Sequence, residues 1–143
     1  MEISEVSRED LSALADLYQQ LVPNTPAIEK MEDVLSSNKD NPNHIVLVAK
    51  DNDKLIGTLF ASCCNMLFGE CKSFMVVEDV VVDKGFRRRG VGEQLMRKIE
   101  SYAFDNNCSY IMLITDSDRP ESQKFYKSLG YKADEYCAFK KHL

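Results

Sequence analysis

The run Arg87-Arg88-Arg89-Gly90-Val91-Gly92 lies between a strand-like stretch, Met75 to Asp83, and a helix-like stretch, Glu93 to Tyr102. A helix start leaves backbone N–H groups unpaired and carries partial positive charge, and glycines let the main chain approach an anion closely. The three arginines add charge and forked donors that match phosphate oxygens. This spacing predicts a pocket for a phosphate-bearing ligand. A second chemical feature stands just upstream, where Glu78-Asp79 interrupts a valine-rich strand. Two adjacent carboxylates there are costly unless they meet solvent, a cation or a ligand. Strand alternation would send them to opposite faces.

Several other chemistries are excluded. No Gly-Lys-Ser/Thr follows the turn, so it is not a triphosphate-binding loop, and the third glycine of a dinucleotide fingerprint is missing. The net charge of -5 argues against a broad nucleic-acid surface, which needs many phosphates neutralised by Lys and Arg. The arginines could otherwise be a solvated basic loop. Cys63, Cys64, Cys71, Cys108 and Cys137 form no Cys-x-x-Cys pair, and His44 and His142 sit near none of them in sequence, so no metal is expected. The cysteines are expected to be reduced and to serve mostly as small apolar residues in strands rather than as a catalytic thiol. Met66, Met75 and Met96 read as core filler.

The elements that must position these residues follow from periodicity and punctuation. Glu2 to Val6 reads as a strand, and Ser7-Arg8-Glu9-Asp10 as a capping box opening a helix that buries Leu11, Leu14, Ala15 and Leu17 and runs to about Val22. Pro23, Asn24 and Pro26 break it, and the segment they span is expected to face substrate. Ile28 to Leu35 then forms a short second helix. Strands follow at Ile45 to Ala49, Leu55 to Cys64 and Ser73 to Asp83, the first two joined by a turn at Asp51 to Lys54. The valine runs of the third suggest burial on both faces and a central place in the sheet. Val91, Leu95, Ile99 and Tyr102 give an amphipathic helix, after which Tyr110 to Thr115 predicts a parallel strand closing a right-handed βαβ unit. Glu121 to Leu129 reads as a helix stopped by Gly130, and Tyr136 to Lys140 as a last strand.

A chain of 143 residues with 44% hydrophobic composition is expected to form one domain, residues 1–143, without help from disulfides. The acidic start Met1 to Glu5 and the lack of a long apolar run suggest neither a signal peptide nor a membrane span, and a cytoplasmic protein is expected.

With its context, Arg87 to Gly92 resembles the signature of the GNAT superfamily of acetyl-CoA-dependent N-acetyltransferases, Arg/Gln-x-x-Gly-x-Gly/Ala between a hydrophobic strand and a helix. Phe125-Tyr126-Lys127-Ser128-Leu129-Gly130-Tyr131 resembles a second feature of that family, an aromatic-Tyr pair followed by a helix-ending glycine and another aromatic. The resemblance extends over nearly the whole element order. It implies an α/β fold with a mixed sheet of six to seven strands, splayed between strands 4 and 5 and flanked by about four helices.

The resemblance also implies acetyl-CoA as donor, without a metal. Its pyrophosphate would lie on the main chain from Arg87, Arg88 and Arg89 through Gly90, Val91, Gly92 and Glu93, and its pantetheine along Val80, Val81 and Val82. Arg119 and Ser122, before and within the last helix, would add contacts, although Ser117-Asp118-Arg119 stands where the family usually has an Asn. The resemblance puts the Tyr126 hydroxyl beside the thioester, where a phenol with a pKa of about 10 can protonate the departing sulfur. Glu78 is the candidate base, directly or through water, and Glu78 with Asp79 the candidate substrate-binding pair. With no His-assisted nucleophile, the amine is expected to attack directly. A small-molecule primary amine is the expected acceptor. A protein or peptide amine, or a non-catalytic acyl-CoA-binding module, is the alternative. Lys39, Lys50 or Arg119 could hold an anionic group of the acceptor, and a homodimer through the last strands would fit the family.

Overall fold

A computed structural model describes residues 1–24 and 26–143. Its elements are β1 (Glu2–Glu5), a 3₁₀ turn (Arg8–Asp10), α1 (Leu11–Tyr18), α2 (Ile28–Ser37), β2 (His44–Asp51), β3 (Lys54–Cys64), β4 (Ser73–Val82), a second 3₁₀ turn (Lys84–Phe86), α3 (Val91–Asp105), β5 (Cys108–Leu113) and α4 (Pro120–Ser128). Thr25, in the segment expected to face substrate, lies outside the described residues. The chain divides into two compact units, Met1–Met112 and Leu113–Leu143.

The expected capping box forms. The Ser7 backbone N–H and hydroxyl both donate to the Asp10 carboxylate, at 2.9 and 2.8 Å. Lys50 Nζ approaches the other oxygen of that buried carboxylate to 2.6 Å. Burial works against the charged Asp10, but the Lys50 ammonium and the Ser7 donors outweigh it and hold its carboxyl below the ordinary value, while Lys50 is held above its own. Lys50 is thereby committed to α1 rather than to an acceptor. Arg8 grips Glu32 through two bonds of 3.1 Å, tying the start of α1 to α2.

A depressed carboxyl stabilises the fold fully above the unfolded pKa of about 3.9, and that stability is lost as pH falls through the lower folded value. Asp10→Asn is therefore expected to lower stability by about 1.5–3 kcal/mol at neutral pH, the usual worth of a hydrogen bond to a charged group. Its melting temperature should converge with the wild type's once the pH is well below the carboxylate range. A deficit that persists unchanged in acid would refute the assignment.

α1 stops at Tyr18, earlier than periodicity suggests. The residue before Pro23 is disfavoured in the helical region, and the chain reaches Val22 through shorter turns in which Gln20 N–H bonds Leu17 O and Leu21 N–H bonds Tyr18 O. A larger correction concerns the C-terminus. The sheet is mixed and has five strands in the order β1-β2-β3-β4-β5, not six or seven, because Tyr136 to Lys140 pairs with no strand among the described residues. Tyr136 and Phe139 are exposed there, so the run has β propensity but neither a ladder nor a buried face to hold it as a strand. Among the described residues four α-helices accompany the sheet, as the resemblance implies.

β1 to β4 pair antiparallel in succession. β4 and β5 meet at their first residues, where Ser109 Oγ donates to Ser73 O at 3.2 Å and the rings of Phe74 and Tyr110 stack at 5.2 Å. On one face, Leu11, Leu14 and Leu17 of α1 pack with Val48, Leu55 and Val81. Burying each such Leu is worth roughly 1.5–3 kcal/mol. On the other face α3 lies so close that a Cβ added to Gly57 would come within 2.9 Å of Val91 Cγ1 and 3.1 Å of Leu95 Cδ1. The glycine inside β3 thus lets the first turn of α3 seat against the sheet.

The five cysteines are free. Cys63 Sγ lies 3.7 Å from Cys108 Sγ, and burial first, then that neighbour, pushes the Cys108 thiol up to about 11. Cys108 is therefore a poor source of thiolate, in keeping with a packing role. Among the described residues, no helix is long and apolar enough to cross a membrane.

Candidate active site

The arginine-glycine run caps α3. Gly90 is its N-cap at φ 78°, with no side-chain cap, and the first helical bond runs from Gln94 N–H to Gly90 O. The N–H groups of Val91, Gly92 and Glu93 therefore have no acceptor within the helix. A Cβ placed on Gly90 would meet nothing within 4 Å, so the space over this helix start is open. Arg88 also adopts a left-handed backbone, φ 60°, which reverses the chain just before the cap. Such an open N-terminus fits an anion such as pyrophosphate.

The three arginines are not equivalent. Arg87 Nε donates to Val82 O at 3.1 Å, closing the loop onto the end of β4, and Arg89 lies over the Phe86 ring at 5.2 Å. The loop is also anchored from the turn that follows α1, a connection that no motif in the sequence announces. Gln20 accepts from Lys84 N–H at 3.0 Å and donates to the Asp83 carboxylate at 3.2 Å, while Gly85 N–H donates to Asp83 at 2.8 Å. The Gly85 N–H chiefly, then Gln20, holds the Asp83 carboxyl below its ordinary value. No motif signals Gln20, because its partners lie more than sixty positions away in the chain.

The strand before the loop carries a β-bulge. Phe60 stands opposite Glu78 and Thr58 opposite Val81, so Leu59 alone faces two residues of β4, and Asp79 takes φ 53°. This overturns the expectation of simple alternation, because an extra residue reverses the facing of everything beyond it. Met75 and Val77 lie on the α3 face, opposite Cys63 and Ala61, whereas Val81 joins the α1 core. Val81 is buried, and Val80 and Val82 are half-buried, so β4 offers mainly backbone to a ligand at this point.

Both carboxylates of the pair are exposed, and neither makes a hydrogen bond or ion pair among the described residues. Each meets solvent at a bend in a strand otherwise lined by valine. Tyr18, the last residue of α1, is half-buried against the α1 core, and burial first, then the charge of Asp79, hold its phenol above the ordinary value. Helical spacing marks Tyr18 only as a neighbour of Leu14 and Leu17, so the charge it feels was not legible.

In the second unit Tyr126 lies on α4, half-buried, with its ring 5.1 Å from Phe125 and 6.2 Å from Tyr131. Pro120 opens the helix, and Gly130, at φ 92°, ends it with its N–H bonded to Lys127 O, as the motif implies. Arg119 is the N-cap residue and pairs with Asp116 at 3.4 Å; Ser122 is half-buried in the first turn.

Comparison with known proteins converges on this architecture. The Acetyltransferase (GNAT) family matches residues 11–131. Glucosamine 6-phosphate N-acetyltransferase 1 of Oryza sativa is 30% identical over 92% of this chain and 78% of its own length. Aminoglycoside N(6')-acetyltransferase type 1 of Salmonella typhimurium is 27% identical over 97% of both chains. A solved protein from Agrobacterium tumefaciens superposes with a TM-score of 0.91 and 26% identity over 100% of both chains. The chain belongs to the GNAT family of acetyltransferases, and it is an enzyme of that class.

Proposed function

We propose that this enzyme moves an acetyl group from acetyl-CoA to a primary amine of a small molecule by direct attack. The observation that carries the reading is the uncapped, sterically open start of α3 at Gly90, joined by a short loop to a bulged strand that presents two unpaired carboxylates. The relatives named for small amines, an amino sugar phosphate and aminoglycosides, support that acceptor class.

When bound, acetyl-CoA supplies a thioester carbon for the amine to attack. The main chain from Arg88 to Glu93 would hold the pyrophosphate, with Arg88 and Arg89 adding charge at its rim. The backbone of Val80 to Val82 would receive the pantetheine amides as a strand receives a neighbour. Arg119 and Ser122 would contribute further contacts to the donor. Glu78 takes the proton that the amine must lose, directly or through water, and Tyr126 donates its hydroxyl proton to the leaving sulfur.

The primary test is thermal melting with and without acetyl-CoA, followed by measurement of CoA release over a panel of amines. A ligand at about a hundred times its Kd stabilises by about 2.7 kcal/mol. A rise in melting temperature with amine-dependent CoA release is the expected result; no shift at saturating acetyl-CoA would overturn the reading. Tyr126→Phe is expected to lower kcat about tenfold or more while leaving acetyl-CoA affinity within about twofold, the pattern of a lost proton donor. Unchanged turnover across pH would remove Tyr126 as the acid.

A further inference from the structure

Main chain that receives a phosphate must be held in place by something other than the ligand, and the loop from Asp83 to Gly90 is held at its start by one amide and one carboxylate. Gln20 Oε1 accepts the Lys84 N–H at 3.0 Å, and Gln20 Nε2 donates to Asp83 Oδ2 at 3.2 Å. Asp83 Oδ1 accepts the Gly85 N–H at 2.8 Å, and the Asp83 carbonyl accepts the Phe86 N–H at 2.8 Å. The first three N–H groups of the loop are thus used, whereas those of Val91, Gly92 and Glu93 have no acceptor within α3. A carboxamide suits the Gln20 position because it presents an acceptor and a donor side by side. A carboxylate there would offer nothing to Asp83, and an ammonium nothing to the Lys84 N–H.

Gln20 is itself presented from a stiff base. Its own N–H bonds Leu17 O at 3.0 Å, the Leu21 N–H bonds Tyr18 O at 2.9 Å, and Tyr18 and Leu21 pack against the α1 core. Beyond Asp83 the connection continues, since Oδ2 lies 4.0 Å from Lys54 Nζ, which sits 4.8 Å from the centre of the Phe86 ring, the ring that Arg89 covers from 5.2 Å. We propose that Gln20 is a positioning residue for the donor: it fixes the Asp83 to Gly90 loop against the end of α1, and with it the aim of the main-chain groups that receive the acetyl-CoA pyrophosphate. This rests on the acetyltransferase reading. The oxygen and the nitrogen of Gln20 both address the loop, so it acts through Asp83 and Lys84 rather than on the ligand. The far end of the loop is set by Val91 and Leu95 against Gly57. Release of the near end leaves α3 seated but lets the residues between relax, Arg88 and Gly90 among them at left-handed φ of 60° and 78°. Loss of Gln20 is therefore expected to show in donor binding more than in the fold, as a loosened supporting shell does.

The test is the Kd for acetyl-CoA, measured by calorimetry on the folded protein, with kcat measured beside it on an amine from the panel. Gln20→Leu, which removes both bonds at similar volume, should raise that Kd about tenfold, or ~1.4 kcal/mol. At saturating donor its kcat should stay within about twofold of the wild type's. Gln20→Glu still accepts from Lys84 but sets a second carboxylate against Asp83, where Lys54 and Arg87 are the other charged groups that face it. Two carboxylates so placed hold a shared proton at a raised pKa, so the Kd of Gln20→Glu relative to the wild type should be high at about pH 8 and fall back toward one at about pH 5. In an Asp83→Asn background Gln20→Leu should weaken binding less than it does alone, because the two residues act as one unit.

A merely structural Gln20 would instead lower the melting temperature of both variants and leave the Kd of the folded proteins like the wild type's at every pH, which overturns the proposal. Fully additive losses for Gln20→Leu and Asp83→Asn overturn it too. Should Gln20→Leu fail to fold, the pH series of Gln20→Glu decides alone, and a deficit that does not change with pH counts against the role. Failure of the wild type to bind acetyl-CoA is a separate outcome that removes the acetyltransferase reading itself and this role with it.

Discussion

Glu78→Gln is expected to lower kcat by about two orders of magnitude, near the lower end of what a positioned acid or base contributes and equal to about 2.7 kcal/mol of barrier. Gln keeps the shape and hydrogen-bonding reach of the side chain but cannot take a proton. Glu78 pairs across the ladder with Phe60, its carboxylate is exposed, and no cation or donor among the described residues competes for it. A primary amine with a pKa near that of lysine, about 10.4, is mostly protonated at neutral pH and must lose a proton before it can attack. Activity of Glu78→Gln should therefore recover in part as pH rises and more of the amine is neutral in solution, giving a steeper pH-rate profile than the wild type's. The melting temperature should hardly move, because an exposed, unpaired carboxylate contributes little to the fold. Wild-type rates at neutral pH would show that water carries the proton to solvent without Glu78.

The same two carboxylates show where reading the sequence succeeds and where it stops. That Glu78 and Asp79 are anomalous was legible from composition alone, since charge inside a valine run needs a reason. The device that accommodates them was not. A left-handed bulge residue is usually marked by glycine, and here the position is filled by Asp, so nothing in the sequence announces the extra residue or the reversal of facing at Val81. Element order was recoverable for most of the chain because each helix has a local apolar stripe and each strand a local β-branched run. The exception is instructive: Tyr136 to Lys140 has strand-like composition, but a strand exists only with a partner to bond, and pairing is not a local property. Tyr18 and Gln20 were missed for the same reason. Their surroundings come from Asp79, Asp83 and Lys84, residues brought to the end of α1 by the fold. The glycine signature was legible because its function is carried by the local backbone.

That local character makes Gly90 the position of largest expected loss in donor binding. Gly90→Val should raise the Kd for acetyl-CoA by about a hundredfold, or ~2.7 kcal/mol, and abolish the thermal shift at concentrations that saturate the wild type. Two effects act together. At φ 78° a β-branched residue is strained by about 1–3 kcal/mol, so the cap tends to relax away from the geometry that aims the N–H groups of residues 91–93 outward. The side chain would also fill the open space over the helix start, the space a phosphate must enter for its oxygens to reach the main chain. Gly69 separates the two contributions. It too is left-handed, φ 59°, with nothing within 4 Å of an added Cβ, but it lies in the loop between β3 and β4. Gly69→Val should share the backbone strain and lose a few degrees of melting temperature, yet bind acetyl-CoA like the wild type. If the two substitutions weaken binding equally, general destabilisation explains the loss and the start of α3 is not the phosphate site; if only Gly90→Val does, the anion sits on the backbone of that first turn.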